Sequence, residues 1–167
     1  ENNPDGKKFI VSNGLSNATF KKCVPMLDGL TSGYIIPLWT DIQITQPDGI
    51  PVINWTINNQ QVFDVHGKDS TNIEPPAEFH RQLFLYKSHF TPITPKGYSL
   101  LITHPFGYNH LPFRGLSAIV DSDKNRTELS LPVWIQKGFE GIIEKGTPMF
   151  QIIPFKRDKW TSSFDSH

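Results

Sequence analysis

The chain has 167 residues, and its 16 lysines and arginines balance its 16 aspartates and glutamates to a formal charge of zero at neutral pH. That length suits one domain with a sizeable core. The neutral balance argues against a general nucleic-acid binder, which needs a basic surface, and no apolar run approaches membrane-spanning length. The single cysteine, Cys23, excludes an intramolecular disulfide and argues against a cysteine zinc centre.

Residues 1–17 read as a flexible N-terminal segment, polar at residues 1–8, with no signal-peptide core there and a short strand at residues 9–11. Residues 18–24 look extended, and Cys23 among them is expected to be a buried structural thiol. Pro25 and Gly29 bracket one helical turn, Pro suiting a first helical position and Gly an end. Residues 31–45 form an apolar strand interrupted at Pro37. Gln46-Pro47-Asp48-Gly49 is a hairpin turn, residues 52–57 the return strand, Asn58-Asn59 a second turn and residues 60–65 a third strand. Turn signals spaced about ten residues apart indicate an all-β sandwich or barrel.

Residues 67–76 read as a polar loop, residues 78–87 as an incompletely alternating segment, residues 90–94 as a strand ending at Pro95, and residues 97–103 as a strand. Residues 104–114 are a loop rich in aromatics and glycine. The chain is organised around residues 118–155. Ala118-Ile119-Val120 is a short strand stopped by the turn formers Asp121-Ser122-Asp123-Lys124-Asn125. Leu129, Leu131, Val133 and Ile135 then alternate with Glu128, Ser130, Pro132 and Trp134, the period of a strand buried on one face. Pro132 lacks a ladder donor and implies an edge or bulged position. Glu144-Lys145-Gly146-Thr147 is a turn, and residues 150–155 form the last strand. The single β domain is expected over residues 18–157, with residues 158–167 as a polar tail carrying Trp160 and Phe164.

Three features carry candidate chemistry. Asp121 and Asp123 sit two apart at a strand end. There a carboxylate can be held against a water as a general base or can help hold Mg²⁺ through phosphate oxygens. An Asx-turn serving only the backbone is the competing explanation. Gln151 is an amide inside an apolar strand and needs partners if buried. Phe106 and Tyr108 could stack on a base or cap the core, and Lys156 and Arg157 could meet phosphate. His104 and His110, six apart, fit no standard zinc spacing, and no metal-ligating set is expected.

Ile119-Val120-Asp121-Ser122-Asp123 and Gly146-Thr147-Pro148-Met149-Phe150-Gln151 resemble the third and fourth motifs of the dUTPase family, which shares its fold with dCTP deaminases. Thr94-Pro95-Lys96-Gly97-Tyr98-Ser99-Leu100 is similar to the strand before that family's second motif. The resemblance spans about a third of the chain. It implies an all-β, dUTPase-like distorted barrel or β-clip with one or two short helical turns, a homotrimer with sites between subunits, and a small nucleotide ligand. It also implies Asp121 as the water-activating carboxylate and Gln151 on ligand phosphate. The sequence departs from the family at the activity. Lys124 stands where an aromatic stacks on uracil, Arg126 where a glycine follows, and Thr103-His104-Pro105-Phe106-Gly107 where an Arg-Ser-Gly motif belongs. Residues 160–167 contain no glycine. The chain also resembles uncharacterised tailed-phage proteins with a Val-Asp-x-Asp turn and a Gly-Thr-Pro-x-x-Gln-x-x-Pro-Phe-Lys-Arg ending, which implies the cytoplasm of an infected cell.

The expectation is a viral nucleotide-binding protein with an altered catalytic site that sequesters its ligand. Asp121, Asp123, Arg126, Gln151, Phe106 and Tyr108 are its candidate ligand-binding residues. The alternatives are a divergent nucleotide diphosphatase or deaminase, with Asp121 catalytic, and a capsid or tail structural protein.

Overall fold

The computed structural model describes residues 23–67, 72–159 and 161–164. The strand expected at residues 9–11 and the side chain of Trp160 lie outside these. Residues 1–32 and 33–167 are separate compact units. In the first, the expected helical turn is a two-turn helix, α1, Val24–Thr31, with proline in its first turn. Cys23 is its N-cap residue. The Cys23 carbonyl accepts from the Met26 and Leu27 amides, and the thiol is exposed rather than buried. A capping position faces outward at a helix end, which is why burial expected from residue type alone failed here.

The described residues of the second unit form eleven strands: β1 Tyr34–Pro37, β2 Ile42–Thr45, β3 Val52–Trp55, β4 Phe63–His66, β5 Phe79–Lys87, β6 Tyr98–Thr103, β7 Phe113–Gly115, β8 Ala118–Val120, β9 Ser130–Gln136, β10 Gly141–Ile143 and β11 Pro148–Lys156. They form three antiparallel sheets in the orders β1-β11-β6-β8, β10-β2-β3 and β4-β5-β9-β7. The protein is all-β apart from short helical turns, as expected, and no sheet among the described residues closes into a barrel.

Alternation explains how the sheets share one core. On β2, Ile42 and Ile44 are buried while Gln43 is exposed. All three sheets contribute inward residues to a single cluster, including Ile36, Ile102 and Phe150 from the first, Ile42, Ile44 and Ile143 from the second, and Phe63, Tyr86, Phe113 and Val133 from the third. Burying each such side chain contributes about 1.5–3 kcal/mol against the entropy of ordering it. Polar ties cross between sheets. Tyr86 Oη donates to the Pro37 carbonyl at 2.7 Å. The Gln46 amide, at the hairpin turn between β2 and β3, donates to the Gln136 and Phe139 carbonyls and accepts from the Gly138 amide and from His80. All four of its hydrogen-bonding positions are used.

Two expectations are corrected. Residues 90–94 form no strand: Pro92 and Pro95 remove donors, His89 has φ +57°, and the segment's ladder contact is one bond, Leu129 N to Phe90 O at 3.1 Å. Pro132 lies in β9, an interior strand flanked by β5 and β7, and neither at an edge nor at a bulge. Its carbonyl accepts from the Leu116 amide, so its missing N–H points to the same side, just past the end of β7 at Gly115, where the proline forgoes a single bond at the end of the ladder. Two three-residue strands, β7 and β10, were not expected at all.

Candidate functional site

The Asp121–Asp123 turn closes one end of the first sheet. Pairing of β6 with β8 matches Leu100 to Val120, which sets Asp121 beside Ser99. Pairing of β6 with β11 matches Tyr98 to Lys156, which brings Arg157 to the same place. Arg157 then forks onto Asp123, Nη1 to Oδ1 at 2.9 Å and Nη2 to Oδ2 at 2.5 Å. Nη1 also lies 3.0 Å from Asp121 Oδ1 and 2.8 Å from Ser99 Oγ. Ser99, fully buried, donates to Asp121 Oδ1 at 2.7 Å. The Gly97 amide donates to Asp123 Oδ2, and Lys124 Nζ holds Asp121 Oδ2 at 3.0 Å. The Asp123 side chain is 4% exposed and that of Asp121 is 40% exposed.

These contacts hold both carboxyls below the usual range. The Arg157 guanidinium and then the Gly97 amide act on Asp123; the Ser99 hydroxyl and then Lys124 act on Asp121. A carboxylate stabilised this far is a weak base, so the turn is poorly matched to proton abstraction near neutral pH. Nor do the carboxylates fit a magnesium ion: every oxygen of the pair already faces a donor, and a metal would have to displace Arg157 or Lys124. Among the described residues no group of three or more His, Cys, Asp or Glu is placed to hold a metal.

Gln151 lies at the other end of the sheet. It pairs with Thr103 of β6, four residues from Ser99, or about 13 Å along the strand at about 3.3 Å per residue. Within one chain, Gln151 and Asp121 are therefore not brought together. Gln151 is 2% exposed, and its Oε1 accepts from the Phe106 amide at 3.1 Å, so it pins the aromatic loop. Phe106 and Tyr108 project outward, Phe106 43% exposed. Arg126 is exposed and makes no hydrogen bond or ion pair with the described residues. The cation at the acidic turn is Arg157 instead.

Beside the aromatic loop is a pocket of about 320 Å³ lined by Glu78, Phe79, His104, Asn109, Phe113 and Arg114 among others. His104 is a fixed wall. Its Nε2 donates to the Tyr108 carbonyl at 3.1 Å and its Nδ1 accepts from the Gly115 amide at 3.3 Å, while its ring meets Phe113 edge-on at 5.9 Å. Burial, with a smaller push from the Arg114 charge, lowers its pKa, so it is a neutral imidazole with both nitrogens occupied. Arg114 Nη1 donates to Asn109 Oδ1 at 3.1 Å. Sequence reasoning named His104 only as a poor metal ligand and missed Arg114; the signal available was its place at the end of an aromatic, glycine-containing loop.

No protein-family model matches this chain, and no curated protein matches it either.

Proposed function

We propose that the protein binds a small nucleotide without turning it over. The observation that carries the non-catalytic half is the fork of Arg157 onto Asp123, with Asp121 held by Ser99 and Lys124. The turn that resembles a dUTPase catalytic motif is filled by the chain's own cation. Support for nucleotide binding comes from that motif resemblance and from aromatic side chains exposed beside a pocket with a guanidinium. On this reading the protein sequesters its ligand, as a viral protein acting against nucleotide signalling would. Calorimetric titration with nucleoside mono-, di- and triphosphates tests it: saturable heat from at least one supports the reading, and no heat from any overturns it.

A second reading, an assembly or structural protein, is favoured by one specific observation. Tyr34, Val65, Ile119 and Ile142 are all strongly exposed, and they lie on β1, β4, β8 and β10, each an edge strand of its sheet. Apolar side chains on open edges suit strand-to-strand association. The homotrimer implied by the resemblance would use such edges. Light scattering over a wide concentration range decides this: a monomeric mass throughout excludes self-assembly.

No helix among the described residues is long and apolar enough to cross a membrane.

A further inference from the structure

We propose that the pocket between the start of β5 and the loop ahead of β7 is the ligand seat, and that its ligand is a nucleoside monophosphate whose phosphate is gripped by Arg114. The inference rests on the reading that the chain binds a nucleotide, and it moves the ligand away from the acidic turn.

Four observations converge on this pocket. Three other pockets, of about 250–260 Å³, are lined without a lysine or arginine, whereas this one contains Arg114. Among the described residues Arg114 has no carboxylate partner; its one hydrogen bond, to Asn109, leaves most of the guanidinium fork available to bind a phosphate bidentately. Its position is fixed from behind. Arg114 pairs with Trp134 across β7 and β9, and the next residue, Gly115, donates to buried His104, so the guanidinium is presented from a strand rather than a free loop. Finally, Glu78 lines the same pocket and is an acceptor. It repels a second or third phosphate but accepts an N–H from a base edge.

Size and charge agree on one phosphate. A volume of about 320 Å³ lies at the lower end of the roughly 300–1,000 Å³ of small-molecule sites. One arginine and one carboxylate in the lining suit a ligand with a single anionic group and a hydrogen-bond-donating ring. The exposed Phe106 and Tyr108 lie on the same loop as the lining residues His104 and Asn109, on the segment that Gln151 pins.

The experiment is calorimetric titration of the whole chain with dUMP, dCMP, GMP and AMP, with dUTP and inorganic phosphate as comparison arms. It is repeated on Arg114→Ala, Glu78→Gln and the exposed control Arg126→Ala, with melting curves of each variant recorded without ligand. The expected result is binding of at least one monophosphate, weakened roughly 10- to 100-fold by Arg114→Ala, the range of a lost charge-assisted hydrogen bond, and unaffected by Arg126→Ala. Glu78→Gln should change the preference among bases. If the wild type binds a nucleotide and Arg114→Ala binds it equally while melting as the wild type does, the pocket assignment is overturned and nucleotide binding stands. Tighter binding of dUTP than of every monophosphate overturns the one-phosphate claim. If nothing binds, the inference and the reading beneath it fall together.

Discussion

Arg157, the first residue after the last strand, grips Asp123 in a two-pronged fork across 34 positions of sequence. Gly97 completes the circuit: its carbonyl accepts from the Arg157 amide and its own amide donates to Asp123. The turn after β8 and the end of β11 are thereby tied through the start of β6. A motif that reads as chemistry in the sequence is, in the fold, a clasp on the end of a sheet.

If the clasp is structural, Asp123→Ala and Arg157→Ala should each lower the melting temperature. The double variant should melt close to the worse single variant, because either change alone already breaks the fork. A double-mutant cycle by chemical denaturation measures the coupling. Additive effects would mean that the two side chains do not act on each other.

Acid should unfold the protein in two stages. His80 and His104 have pKa values lowered from 6.5 by burial. The unfolded chain therefore takes up their protons first, and stability that is complete above about pH 6.5 declines below it. Asp121 and Asp123 are lowered from 3.8. Their contribution is complete above about pH 4 and is lost as pH falls through their folded values. Denaturation midpoints measured from pH 8 to pH 3 should fall in both windows, and Asp123→Asn should flatten the lower one. A midpoint that rises between pH 7 and pH 5 would contradict the histidine assignment.

The sequence made the elements legible where pattern and punctuation agreed. The Pro47-Asp48-Gly49 turn joins β2 to β3, and the alternation from Leu129 to Ile135 marks β9. Asp121 and Asp123 stop β8 as turn formers should. What pairs with that turn was not legible. Arg157 read as one of two cations after an apolar strand that could meet phosphate, and only the β6–β11 register carries it to Ser99 and Gly97. Arg126, close to the aspartates in sequence, does not reach them, because proximity along a turn says little about which side chain folds back over it. Gln151 was marked as an amide needing partners if buried, and in the fold its buried Oε1 accepts from the Phe106 backbone. Strand β7 was hidden because Phe113-Arg114-Gly115 is too short to show a period.

Gly115 is held to glycine by packing. A Cβ there would lie 2.6 Å from Cε1 and 2.9 Å from Cζ of Phe150, which is fully buried. Gly115→Ala must push the ring into a filled core and should destabilise by about 1–3 kcal/mol, read from the denaturation midpoint. The variant Phe150→Leu, Gly115→Ala should recover part of that loss. An alanine variant as stable as the wild type would show that the β7–β11 contact is loose.

The most direct test of the account is product analysis. The wild-type chain is incubated with dUTP and with dCTP in the presence of Mg²⁺, and released pyrophosphate and ammonia are measured over hours. With Asp123 held by Arg157 and Asp121 by Ser99 and Lys124, neither product should exceed the protein-free blank. Sustained turnover near ordinary enzyme rates, on the order of 1 s⁻¹ or more, that disappears in Asp121→Asn would show that the acidic turn is a working catalytic site and that the clasp opens to serve it.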